Sequence, residues 1–247
     1  MADLIEIQAP DGIAEAYLAR PEGESKGGVV FYMDAIGLRP RIADMADHIA
    51  SWGYTVLAPN VFYRDGSAEE LAPKADLRVQ ENREAFFASG VMGRVQSLTG
   101  ERAAADGEAW VTALEKHTGE TPIATTGYCM GARLSTRLGG QYPDKVVAVG
   151  GFHGGGLVTD EPDSPHLAIA SSKAEFVYGH ADNDRSMPPE AVAKLEEVLT
   201  AAGRPHLNAI YPDAPHGYTM EDTSMWHAAS AERHFTELQA LLQRTLG

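Results

Sequence analysis

The chain has 247 residues, 44% of them apolar, which is enough for one sizeable hydrophobic core and one domain. Its 20 basic against 35 acidic side chains give a net charge of -15, which repels nucleic acid and anionic membrane surfaces and leaves a small molecule as the expected partner. No run approaches the roughly 18 apolar residues of a membrane span, and the first residues, Met1-Ala2-Asp3-Leu4-Ile5-Glu6, lack the basic-then-apolar pattern of a leader, so a cytoplasmic location is the default expectation.

Short β-favouring runs recur at Leu4-Ile7, Ala14-Ala19, Val29-Met33, Thr55-Ala58, Ile123-Gly127, Val146-Phe152, Phe176-Gly179 and Leu207-Tyr211. Only Pro10-Asp11-Gly12 separates the first two, which predicts a leading hairpin. Helical patterns at Ile42-Trp52, Gly107-His117, Ala132-Gln141, Glu190-Ala202 and a terminal one through Trp226, Phe235, Leu238 and Leu242 alternate with the later strands. Such alternation demands crossovers and hence a mainly parallel sheet of about eight strands covered on both faces, an α/β three-layer sandwich. From Arg64 to about Gly100 the rhythm breaks. This segment reads equally as a lid or as surface helices of a long crossover.

Cys129 is the only cysteine, so an intrachain disulfide and a multi-cysteine zinc site are excluded, and no metal is expected. It lies in Gly127-Tyr128-Cys129-Met130-Gly131, Gly-x-Cys-x-Gly between a strand and a helix. A sharp turn of this kind needs glycine on both sides of its central residue, because any Cβ there would meet the neighbouring strand or helix. It presents the thiol at a helix N-terminus, where free backbone N–H groups favour the thiolate. No Gly-x-Ser-x-Gly competes with it.

A thiolate needs a base and an orienting carboxylate. Of nine histidines, His216 alone lies in a short loop after a late strand and before the terminal helix, in Asp213-Ala214-Pro215-His216-Gly217. His153 and His180 also end strands and are weaker candidates, whereas His48, His117 and His234 fall within helical patterns. The acid should follow the strand at Phe176-Gly179, where the chain reads His180-Ala181-Asp182-Asn183-Asp184. Asp182, nearer the strand end, is favoured as the partner of the imidazole. Asp184 suits a turn ahead of the helix start at Pro188-Pro189-Glu190 and stays open as the alternative. An oxyanion would meet the N–H of Met130 and one from the loop Met33-Asp34-Ala35-Ile36-Gly37, with Ala35 as the expected donor. Asp34 reads either as a turn residue or as a like charge that raises the thiol pKa and holds its proton.

Met33-Asp34-Ala35-Ile36-Gly37, Gly53-Tyr54-Thr55-Val56-Leu57-Ala58-Pro59, the Cys129 elbow and Asp213-Ala214-Pro215-His216-Gly217 together resemble the dienelactone hydrolase (carboxymethylenebutenolidase) family over nearly the whole chain. The resemblance implies an α/β-hydrolase in which Cys129, His216 and Asp182 open an enol-lactone through an acyl-enzyme. It implies too that Asp34 stands where the family has a glutamate gating the cysteine. Dienelactone enzymes bind a substrate carboxylate with an arginine a few residues past the histidine. Here Gly217-Tyr218-Thr219-Met220 follows, so a neutral ester or another lactone facing Tyr218 and Met220 is the expected substrate. The expected enzyme is a cofactor-free carboxylic ester hydrolase. A ligand-binding or redox-sensing protein using the same thiol, or an acyltransferase with the same residues, are the competing readings.

Overall fold

The computed structural model covers every residue from Met1 to Gly247. Its centre is one eight-stranded sheet in the order β1-β2-β4-β3-β5-β6-β7-β8. The strands are β1 (Asp3–Ala9), β2 (Gly12–Ala19), β3 (Gly28–Tyr32), β4 (Thr55–Pro59), β5 (Ile123–Tyr128), β6 (Val146–Phe152), β7 (Glu175–His180) and β8 (His206–Ile210). β1 and β2 form the antiparallel hairpin expected around Pro10 and Asp11, β2 runs antiparallel to β4, and all remaining pairs are parallel.

Residue choice explains the layout. β3, β4 and β5 are buried at every position, as continuous apolar runs must be when helices cover both faces of a sheet. β2, near the edge, instead alternates buried and part-exposed positions over most of its length, with Ala14, Ala16 and Leu18 turned inward. The helix α1 (Pro40–Ala50) buries Ile42, Met45, Ala46, Ile49 and Ala50, a single stripe at helical spacing, and starts on a proline whose missing N–H costs nothing in the first turn. Its His48 ring and the Trp52 ring just past its end meet Phe235 of the terminal helix α8 (Ala228–Thr245), which places both helices on one face. The other face carries α5 (Gly100–Thr118), α6 (Met130–Gln141) and α7 (Pro189–Ala201).

Two helix boundaries differ from the sequence expectation. α5 starts at Gly100, seven residues before the apolar pattern, because the Thr99 hydroxyl caps it by accepting from Arg102 N at 3.3 Å. α8 starts after Trp226, which stands 44% exposed outside the helix. Residues 64–100 fold into three short helices, α2 (Ala68–Leu71), α3 (Gln80–Phe86) and α4 (Met92–Ser97), with a wide turn between the last two at Gly90, φ 102°. α3 buries none of its side chains.

Because β3 and β5 to β8 run parallel, their carboxyl ends open on one edge of the sheet, where ligands of open α/β sheets gather. At that edge Cys129 takes φ 54° and ψ -118° between β5 and α6. The helix and strand are too close there for side chains. A Cβ on Gly127 would fall on the Gly131 carbonyl, and one on Gly131 would fall on the carbonyls of Tyr32 and Met33 in the β3 chain. These are backbone atoms and cannot yield without moving an element. Gly131→Ala should therefore cost about 3 kcal/mol or more of unfolding free energy. Gly23→Ala, whose Cβ meets nothing, should stay within about 0.5 kcal/mol. Urea unfolding midpoints test both, and equal midpoints for the two variants would contradict the steric account of the elbow.

Candidate active site

Three side chains from three strand ends meet at the sheet edge. Cys129 Sγ lies 3.1 Å from His216 Nε2, and His216 Nδ1 lies 2.6 Å from Asp184 Oδ2. The second oxygen of Asp184 accepts from the Ser186 backbone N–H at 2.8 Å and its hydroxyl at 2.7 Å. The carboxylate is thus fully committed, which fixes the plane of the imidazole it holds.

The carboxylate against His216 belongs to Asp184, not to Asp182 as the sequence suggested. Asn183 adopts φ 53°, and this left-handed step turns the chain so that the residue beyond it comes back to the imidazole. Asp182 stays on the other side, accepting from Asp213 N at 3.1 Å while its own N–H donates to Ala214 O at 2.7 Å. It ties the β7 and β8 loops together and does not touch the imidazole.

Electrostatics follow from these distances. Burial alone would raise the Cys129 thiol, but the charge and hydrogen bond of His216 outweigh it and hold the thiol below its ordinary value; Asp34 pushes it up and the Met130 N–H pulls it down. Burial would make His216 less basic, yet the facing thiolate and Asp184 raise it well above the usual histidine range. Asp184 is lowered to about 2, since the hydrogen bond and charge of His216 and the Ser186 donors overcome its burial. The three groups together favour charge on the sulfur and on the imidazole, with the Asp184 carboxylate behind them.

Asp34 reaches the pocket wall without bonding to the thiol. Its Oδ1 accepts from Arg39 at 2.7 Å and from Ile36 N at 3.1 Å, and its Oδ2 accepts from Arg39 at 3.1 Å. The buried Arg39 guanidinium also grips Asp222, at 2.6 and 3.2 Å. Burial opposes this charge but the two carboxylates keep it firmly protonated. No sequence pattern announced the pairing, since Asp222 lies 183 residues from Arg39.

Two backbone donors lie beside the sulfur: the N–H of Met130, the first residue of α6, which points at the sulfur itself, and that of Ala35, which has no acceptor in the protein. The cavity they adjoin is small, about 20 Å³, room for little more than one water. Ile36, Phe87, Met220 and Met225 give it apolar walls, and Arg83 supplies a guanidinium that makes no ion pair and lies over the Phe87 ring at 4.9 Å. Arg83 and Phe87 come from the segment that breaks the strand and helix rhythm, and nothing in their local sequence pointed to the site. Tyr218, expected to face substrate, is instead fully buried and donates to Gly179 O at 3.0 Å. His180, a weaker candidate for the base, pairs with Asn208 at 2.6 Å.

Residues 14–246 match the family model described as the dienelactone hydrolase family. A provisionally named carboxymethylenebutenolidase of Escherichia coli (strain K12) is 26% identical over 225 residues, 88% of this chain and 77% of that protein. A carboxymethylenebutenolidase of Rhodococcus opacus is 25% identical over 209 residues, 83% of this chain and 75% of its own. The crystal structure of a provisionally named dienelactone hydrolase from Klebsiella pneumoniae subsp. pneumoniae superposes with a TM-score of 0.83 at 20% identity, covering 99% of this chain and 98% of the other.

The ion pair makes a prediction that needs no substrate. Iodoacetamide alkylation of Cys129 should stay fast well below the ordinary thiol range, since a lowered thiol keeps its charge as pH falls. Asp184→Asn removes the carboxylate that stabilises the imidazolium, so the thiol pKa rises and labelling at pH 6 should slow on the order of tenfold. Asp182→Asn should leave the profile in place. The reverse order of effects would restore Asp182 as the partner of His216.

Proposed function

Because the chain belongs to the dienelactone hydrolase family, we propose that it hydrolyses a small lactone or ester by passing the acyl group first to Cys129 and then to water. The observation carrying this reading is the unbroken line from Asp184 through His216 to Cys129, at 2.6 and 3.1 Å.

The steps follow from the charges. The Cys129 thiolate attacks the carbonyl carbon, and the oxyanion so formed takes hydrogen bonds from the N–H groups of Ala35 and Met130. As the tetrahedral species collapses, the C–O bond breaks and His216 gives its proton to the departing oxygen. In a lactone that oxygen stays attached to the acyl group. His216, now neutral, takes a proton from water, whose oxygen attacks the thioester, and collapse expels the thiolate with the imidazolium restored. Asp184 holds the imidazole and offsets its charge throughout. Asp34, a neighbouring negative charge, would oppose the thiolate, and Arg39 screens it through the ion pair.

The pocket points to substrate polarity. Arg83 is a guanidinium without an ion-pair partner in a cavity that Ile36, Phe87, Met220 and Met225 line together with Asp34, His153, His216 and Thr223, and a cation so placed favours a compact body ending in an anionic group. This departs from the neutral ester expected when the residues after His216 are read alone. The cavity is tight, about 20 Å³, so a lactone would enter where a wall can give. α3, with no buried side chain, is the wall held by least packing, and residues 64–100 serve as the lid.

Cys129→Ala should lower turnover of small lactones and p-nitrophenyl esters by about a thousandfold or more, and mass spectrometry of rapidly quenched wild type should find the acyl group on Cys129. Unchanged turnover in the alanine variant would sink the proposal. Arg83→Gln should raise KM for carboxylate-bearing substrates roughly tenfold or more and leave neutral esters of the same size within about twofold. Equal effects on both would remove the anionic substrate class.

A further inference from the structure

His153 sits where β6 ends, between the strand that delivers Cys129 and the strand that leads to Asp184. It is fully buried and still lines the cavity beside Cys129 and His216. Its backbone takes φ 38°, in the left-handed region that a residue with a Cβ holds only when its surroundings force it. The force here includes its own N–H, which donates to Gly179 O at 2.8 Å.

The imidazole meets three members of one loop. Nε2 lies 2.7 Å from Thr219 Oγ1, the ring stands edge-on to Tyr218 at 5.0 Å and 80°, and it stands edge-on to His216 at 5.4 Å and 67°. That loop carries two left-handed residues, Asp213 at φ 61° and Gly217 at φ 96°, so its path is not set by regular structure. On the β7 side Asp182 holds it. On the β6 side the only side-chain hydrogen bond from β6 or its end is the one between His153 and Thr219. Nδ1 of His153 is buried and meets no partner. Phenylalanine would fill the same space without leaving a polar atom unpaired, so the ring nitrogen facing Thr219 is what distinguishes the residue. Burial, reinforced by the nearby His216 and His234, keeps His153 far less basic than an ordinary histidine. It braces an imidazolium without repelling it.

We propose that His153 is a positioning residue for His216: through its hydrogen bond to Thr219 and its edge-on contact, it moors the loop that holds the imidazole in line between Cys129 and Asp184. This rests on the reading of Cys129 and His216 as the reacting pair. The residue touches neither the sulfur nor the carboxylate and acts through the imidazole alone.

The test uses His153→Phe and Thr219→Val, which remove one hydrogen bond from opposite ends, their double variant, and Thr219→Ser, which restores the hydroxyl. With a p-nitrophenyl ester, each of the first two should lower kcat on the order of 10- to 100-fold with KM moved less than about threefold. The double variant should be no worse than either single change, and Thr219→Ser should stay close to wild type. In the absence of substrate, the pH profile of iodoacetamide alkylation should shift upward in the first two and return in Thr219→Ser, because a loosened His216 no longer holds the thiolate. If His153→Phe does not fold, Thr219→Val against Thr219→Ser decides the matter. Unmoved alkylation profiles in folded variants, or additive losses, would overturn the proposal. Wild-type protein that labels as expected but turns over no ester would refute the hydrolase reading and leave the mooring intact, so the two failures are distinguishable.

Discussion

The close approach of three backbones beneath Cys129 governs the rest of the site. Strand β5 runs into α6 with Gly127 against the Gly131 carbonyl, and Gly131 in turn lies against the end of β3. With no room for a Cβ at either glycine, the chain turns within one residue, and that residue takes a left-handed conformation with its sulfur outward. The helix then begins at once, so the N–H of its first residue, Met130, points at the sulfur. The same contact brings the β3 loop, with Ala35 and Asp34, alongside. The thiol, the backbone donors beside it and the neighbouring acid are all placed by one steric constraint.

Charge organises the second layer. Thiol, imidazole and carboxylate follow one another from Cys129 to Asp184, and a parallel chain of Asp34, Arg39 and Asp222 alternates in charge beside it. Each charge has an opposite neighbour at hydrogen-bond distance, which is the condition under which buried ions persist. Asp34 illustrates the balance. Its charge pushes the thiol up but less than His216 pulls it down, while Arg39 grips the carboxylate in a two-point contact. A protein with a net charge of -15 gains from placing a fully committed guanidinium there.

Much of this was legible in the sequence where local pattern and geometry coincide. All eight strands lie within a few residues of the runs that predicted them, because apolar runs and turn residues bound them directly. Gly-x-Cys-x-Gly between strand and helix needs no tertiary information. The loop of His216 was found for the same reason, as the one histidine directly after a late strand. The acid could not be chosen that way. Asp182 and Asp184 are two residues apart, and which of them reaches the imidazole turns on the backbone of Asn183 between them, φ 53°. Arg39 and Asp222 meet across the fold with nothing between them in the chain to hint at it. His153 shows both limits: its place at a strand end was readable, while its left-handed backbone and its bond to Thr219 were not. The charged stretch that contributes Arg83 lacked periodicity because its helices are short and expose most of their surface.

The division between rigid and lightly packed walls bears on how such a protein diversifies. Cys129, His216 and Asp184 stand at the ends of strands that a large apolar core supports. Arg83 and Phe87 reach the same cavity from α3 and the turn after it, and α3 contributes no buried side chain to the fold. Substitutions on the exposed positions of that helix cost little stability, whereas substitutions at the strand ends cost more. Selection can therefore exchange the residues that face the substrate many times over while the reacting groups stay where they are. Within one lineage, the repertoire of compounds accepted can drift faster than the chemistry performed on them.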